Sequence, residues 1–112
     1  MSLQIIGTVK CRDTKKCRLW FDQRGVSYHF MDLGKRALSS GELKAIAARN
    51  TWDEMLDRNG KTWAKKQLEW KEFDPEEELT ADPMLLKTPV VRDGVEAVIG
   101  YEPESWVKFS RK

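Results

Sequence analysis

The sequence predicts an α/β fold: a four-stranded mixed sheet with helices, in which a βαβ half and a ββα half flank a helical insertion. Three observations predict it. An apolar run, a basic amphipathic stretch and an aromatic-rich run occupy residues 3–33 in that order. Helix-start and helix-stop signals crowd residues 39–86, and two β-rich runs joined by Asp93-Gly94 precede a final amphipathic stretch.

Each element follows from local chemistry. Residues 3–9 are a short apolar run, the pattern of a buried strand. Residues 14–24 read as a helix, with Leu19, Trp20 and Phe21 behind Lys15 and Lys16 and Gly25 as the C-terminal stop. Residues 27–33 (SYHFMDL) alternate aromatic and polar side chains, so a second strand follows. A right-handed crossover makes that strand parallel to the first. In SSGELKAIAARN a helix-start serine precedes Leu43, Ile46 and Ala47 at helical spacing, and Asn50 ends the run. Residues 52–58 predict another short helix, broken by Asn59-Gly60, and residues 63–70 a third. Asp74 is an N-cap with Pro75 in the first turn and glutamates near the helix's positive end. Asp82-Pro83 starts a fresh turn. Residues 89–92 and 97–100 form a hairpin through Asp93-Gly94. Residues 102–109 suit a terminal helix with Pro103 in its first turn. The result is one domain over 1–112 with an insertion at about 39–86, in the element order of the thioredoxin-like fold.

The chain has 112 residues, enough for one core without covalent staples. Its 20 basic and 18 acidic residues nearly balance, which argues against a nucleic-acid binder relying on a strong phosphate-directed field. The local run of Lys10, Arg12, Lys15, Lys16 and Arg18 reads as a solvated helix face. No apolar run approaches the roughly 20 residues that span a bilayer, and residues 1–9 lack a signal-peptide core. A cytoplasmic protein with no membrane partner is expected. In that compartment thiols stay reduced, so Cys11 and Cys17 are better read as chemistry or packing than as a bridge. Two cysteines and one histidine, His29, do not make a convincing ligand set, and no metal is expected.

Cys11 sits where the first strand hands over to the first helix. A helix N-terminus carries about half a positive charge, which favours a thiolate over a thiol. Arg12 and Lys15, with Lys10, add to that field if they point inward. Cys11 is therefore the candidate nucleophile, against the alternative of an inert loop cysteine. Cys17 lies six positions on, about 9 Å further along if the interval is helical, beyond the reach of a disulfide. Its spacing with Trp20 and Phe21 suggests a buried side chain; a resolving thiol would require the helix to unwind. Thr88-Pro89 is the second loaded feature, because a proline opening a strand removes a ladder donor. In thioredoxin-like folds that proline is cis and faces the reactive cysteine. The residue before it can there pair with a thiol peptide such as glutathione.

The segments CRDTKKCRLWFDQRGVSYHFMDL, WDEMLDRNGKTWAKK and KTPVVRDGVEAVIGYEPESW resemble the arsenate-reductase-like (ArsC/Spx) family of thioredoxin-fold proteins over nearly the whole chain. The resemblance implies that Cys11 matches the nucleophile of the arsenate-reducing members, which glutathione and glutaredoxin regenerate. Those members place arginines in the insertion, before the cis-proline and after the last strand pair. Here Arg58 falls near the first place, Thr88 takes the second, and Gly100 and Tyr101 the third. An oxyanion loses bidentate bonds when such arginines become Thr and Gly, so arsenate reduction is not expected as the main activity. The Spx-like branch binds the RNA polymerase alpha subunit and usually carries C-x-x-C; Thr14 stands where its second cysteine would be.

The expected function is a glutaredoxin-like thiol oxidoreductase. Cys11 attacks, Lys15 and Arg12 stabilise the thiolate, and Arg58, Thr88 and Pro89 bind the thiol or oxyanion. Glutathione is the expected co-substrate, a thiol protein is a further partner, and neither bound cofactor nor oligomer is implied: a monomer is expected. The alternatives are a non-enzymatic module that binds RNA polymerase, with Trp63 and Trp70 as an exposed patch, and an arsenate reductase proper.

Overall fold

The computed structural model describes residues 3–94 and 96–110. Strand alternation places successive apolar residues on opposite sheet faces, and this chain uses both. Ile5 and Val91 face one side with Cys17, Phe21, Trp106 and Phe109; Ile6 and Val90 face the other with Met31, Leu43, Ile46, Met55 and Leu85. The elements run β1 (Leu3–Gly7), α1 (Arg12–Gln23), β2 (His29–Asp32), α2 (Ser40–Ala47), α3 (Lys61–Lys66), α4 (Pro75–Ala81), β3 (Val90–Asp93), β4 (Glu96–Ile99) and α5 (Pro103–Ser110). The sheet order is β2-β1-β3-β4. β1 and β2 are parallel, while β1–β3 and β3–β4 are antiparallel. This is the thioredoxin-like arrangement, a mixed four-stranded sheet with helices.

The first layer is α1 with α5. Phe21 and Trp106 are fully buried, and Trp20 and Tyr101 meet the Trp106 ring edge-on. The second layer is the insertion, residues 40–86, whose apolar side chains cover the other face. α2 opens with a reciprocal capping box: Ser39 accepts from the Glu42 amide while Glu42 accepts from the Ser39 amide.

Four expectations need correction. First, residues 52–58 are turns rather than a helix. Thr51 and Glu54 cap each other at one end, but the chain then extends so that Leu56 bridges Leu86. The Asp57 amide donates to the Leu85 carbonyl at 2.8 Å and the Lys87 amide to the Met55 carbonyl at 2.7 Å. Pairing with residues 85–87 satisfies the backbone beside buried Met55 and Leu56, so helical bonds are not needed. Second, the helix predicted over 63–70 starts at Lys61 and stops at Lys66. Gln67 takes a left-handed conformation (φ 56°), and Leu68–Trp70 form a single 3-10 turn. Third, α1 begins at Arg12, two residues before its predicted start, because Cys11 takes the N-cap. Fourth, Trp63 is buried and only Trp70 of the two is exposed.

Candidate functional site

The link from β1 to α1 places the thiol. The Cys11 amide donates to Thr8 Oγ1 at 3.2 Å, and the residue adopts an extended backbone at the N-cap (φ −74°, ψ 119°). No side chain caps the first turn of α1. Its amides therefore keep their partial positive charge for whatever lies at this end. A glycine is required just before the link: a Cβ at Gly7 would collide with the Thr14 side chain, which is fully buried against it. Close packing of α1 on β1 thus fixes the height of Cys11 over the sheet.

Thr88 meets the sulfur from across the fold. Its hydroxyl donates to Cys11 Sγ at 3.1 Å, and Sγ lies 3.9 Å from the Thr88 carbonyl oxygen. The Thr88–Pro89 peptide bond is cis. Pro89 is buried, and its carbonyl accepts from the Gly100 amide at 2.7 Å, which ties this corner to the end of β4. Cys11 is half-buried and opens into a cleft of about 270 Å³ lined by Thr8, Lys10, Asp57, Met84, Leu86 and Thr88, among others. The sulfur thus accepts from a hydroxyl at the N-terminal end of α1 and is open to a partner through the cleft.

The predicted site residues are only partly assembled. Cys11, Thr88 and Pro89 come together. Arg12 and Lys15 are exposed on α1 and do not line the cleft; the cation that does is Lys10. Arg58 is not among the residues that line the Cys11 cleft. It pairs with Asp53 at 2.9 Å, stacks 5.0 Å from the Trp63 ring, and lines a separate cleft with Trp63 and Trp70. Beside the bridge between Leu56 and Leu86, Asp57 and not Arg58 lines the Cys11 cleft, its Oδ1 accepting from the Asn59 amide. Asp57 and Met84 were missed, since only tertiary pairing of residues 55–57 with 85–87 brings them to the sulfur.

Cys17 is a different kind of thiol. It is fully buried among Phe21 and Trp106, and burial pushes it up to about 12. Both cysteines are free. Among the described residues no cluster of His, Cys, Asp and Glu could hold a metal ion, and no helix is long and apolar enough to cross a membrane.

The ArsC family model matches residues 7–109, from the glycine beneath Thr14 to the phenylalanine of α5. The chain belongs to the ArsC family. Among relatives of this ArsC-family protein, the global transcriptional regulator Spx 2 of Oceanobacillus iheyensis is 26% identical, covering 97% of this chain and 84% of its own. The regulatory protein MgsR of Bacillus subtilis is 28% identical, over 91% and 85% respectively. The solution structure of an arsenate reductase (ArsC) related protein from Brucella melitensis superposes with a TM-score of 0.73 at 26% identity, covering 97% of this chain and 94% of that one.

Proposed function

We propose that this ArsC-family protein is a thiol oxidoreductase that works through Cys11 alone and exchanges mixed disulfides with glutathione or a similar thiol. The observation that carries the reading is the Thr88 hydroxyl donating to Cys11 Sγ at 3.1 Å at the open end of α1. In the first step the Cys11 thiolate attacks one sulfur of a glutathionylated substrate. A Cys11–glutathione disulfide forms, the original S–S bond breaks, and the substrate leaves as a thiolate that takes a proton from solvent. A second glutathione thiolate then attacks this mixed disulfide, releasing oxidised glutathione and returning Cys11 reduced. Thr88 and the first-turn amides of α1 hold the negative charge on Cys11 as it enters and leaves. Arsenate reduction fits less well, because Lys10 is the one cation among the described residues lining the cleft, and a point charge does not replace an arginine fork.

Intact-mass spectrometry after incubation with oxidised glutathione tests the reading. A single adduct should form on Cys11, Cys11→Ser should take none, and Cys17→Ser should behave as the parent. An adduct on Cys17, or none at all, sinks the proposal.

Similarity to two named regulators supports a second reading, a regulatory module that contacts the RNA polymerase alpha subunit. Thr14 replaces the second cysteine of a C-x-x-C switch and is fully buried, so such a module would lack that intramolecular switch. Retention on immobilised alpha subunit is its direct test.

A further inference from the structure

We infer that the outer edge of β2 is a docking groove for an acidic, extended peptide segment of a partner protein, bound by strand addition. β2 is a terminal strand of the sheet. The Leu33 amide donates to the Gly7 carbonyl at 2.8 Å, so residues of its parity, Met31 and His29, turn their backbone groups toward β1. Phe30 and Asp32 turn theirs outward. The Asp32 carbonyl is taken by the Lys35 and Arg36 amides of the following turn. That leaves the Phe30 amide, the Phe30 carbonyl and the Asp32 amide as an unpaired set among the described residues. The opposite edge of the sheet is treated differently. There Asn50 Nδ2 donates to the Ala97 carbonyl at 3.1 Å, and Lys108 pairs with Glu96 at 3.3 Å.

Charge identifies the occupant. A cleft of about 430 Å³ runs along the β2 edge, lined by Val9, Arg18, His29, Phe30, Lys35 and Arg36, with Met31 and Asp32. Arg36 is already spent on Glu42, through two hydrogen bonds of 3.2 and 3.1 Å. The Arg18 guanidinium is not: it lies 4.0 Å from the Phe30 ring centroid and donates to the Tyr28 hydroxyl, with no carboxylate partner among the described residues. Lys35 likewise stands exposed without one. Two cations, Arg18 over an aromatic ring and Lys35 on the turn, outnumber the one carboxylate lining the cleft, Asp32, whose Oδ1 already accepts from the Gly34 amide. Beside free ladder donors they fit a strand whose side chains carry carboxylates. Lys35, on the turn beside this edge, also discourages pairing between copies of the chain, which favours an acidic guest over a second copy. The groove reaches Val9, two residues before Cys11, but its binding does not depend on thiol chemistry.

The test uses a fluorescein-labelled, blocked peptide of alternating glutamate and valine, with a lysine-for-glutamate twin as control. The acidic peptide should bind saturably by anisotropy at low salt and weaken as salt rises. Hydrogen exchange should slow at the Phe30 and Asp32 amides. Lys35→Glu, on an exposed turn, and Arg18→Gln should each weaken binding by about tenfold relative to the parent. Equal binding of the lysine twin, protection elsewhere on the surface, absence of saturable binding, or a doubled mass by light scattering each overturns the inference.

Discussion

The two thiols of this chain differ by what surrounds them. Cys11 has a hydroxyl donor at 3.1 Å and a helix end; Cys17 has hydrocarbon and aromatic rings. Burial opposes charge on Cys17, whereas the Cys11 sulfur accepts a hydrogen bond and faces an open cleft. Removing the donor should therefore slow Cys11 without changing the fold. Thr88→Val should react with iodoacetamide about tenfold more slowly at neutral pH, the loss expected for one hydrogen bond to a charged atom of about 1.4 kcal/mol, while Thr88→Ser restores the rate. Equal rates in all three proteins would show that the hydroxyl is a bystander. Both the Cys11 location and the Thr88-Pro89 pair were legible in the sequence, because each rests on a local transition: strand to helix, and proline at a strand start. That Arg58 lines a different cleft was not legible, because its neighbourhood depends on a bridge between Leu56 and Leu86, thirty positions apart in chain and invisible to periodicity.

At the scale of elements, caps and turns set what the side chains can reach. The order of four strands and the flanking helices was readable from alternation, proline, glycine and aspartate signals. The irregular middle was not. Residues 52–58 read as a short helix, yet the backbone at 55–57 pairs in a strand-like manner because Met55 and Leu56 must both be buried. α2 shows the opposite case, where local signals decide. Burial works to raise the Glu42 carboxyl, but the Arg36 fork and the Ser39 bonds outweigh it and hold the group below the usual carboxylate range. Ser39→Ala removes one arm of this box and should cost about 1 kcal/mol in urea denaturation. A change within error would mean that tertiary packing of Leu43 and Ile46 alone fixes the start of α2.

Across the whole molecule, Cys17 links acid–base chemistry to stability. Its thiol titrates at about 12 in the folded chain against an ordinary value of 9.0. A raised value means that the folded state holds its proton where the unfolded chain has lost it. Stability is thus complete below pH 9 and falls as pH rises toward 12, by about 1.4 kcal/mol per pH unit. Between about pH 7.5 and pH 10.5 the parent should lose about 2 kcal/mol more than Cys17→Ala by urea denaturation. Parallel losses in the two proteins would place the alkaline sensitivity elsewhere.

Thr14, wedged over Gly7, has a consequence for supply. It fills the position from which a neighbouring sulfur could have closed a ring with Cys11, and Cys17 is sealed under Trp106. Under the proposed chemistry the mixed disulfide on Cys11 cannot be resolved inside one molecule. Each cycle waits for a reductant to arrive from outside, so throughput follows the abundance of free thiol in the surroundings and stalls when that reservoir is oxidised.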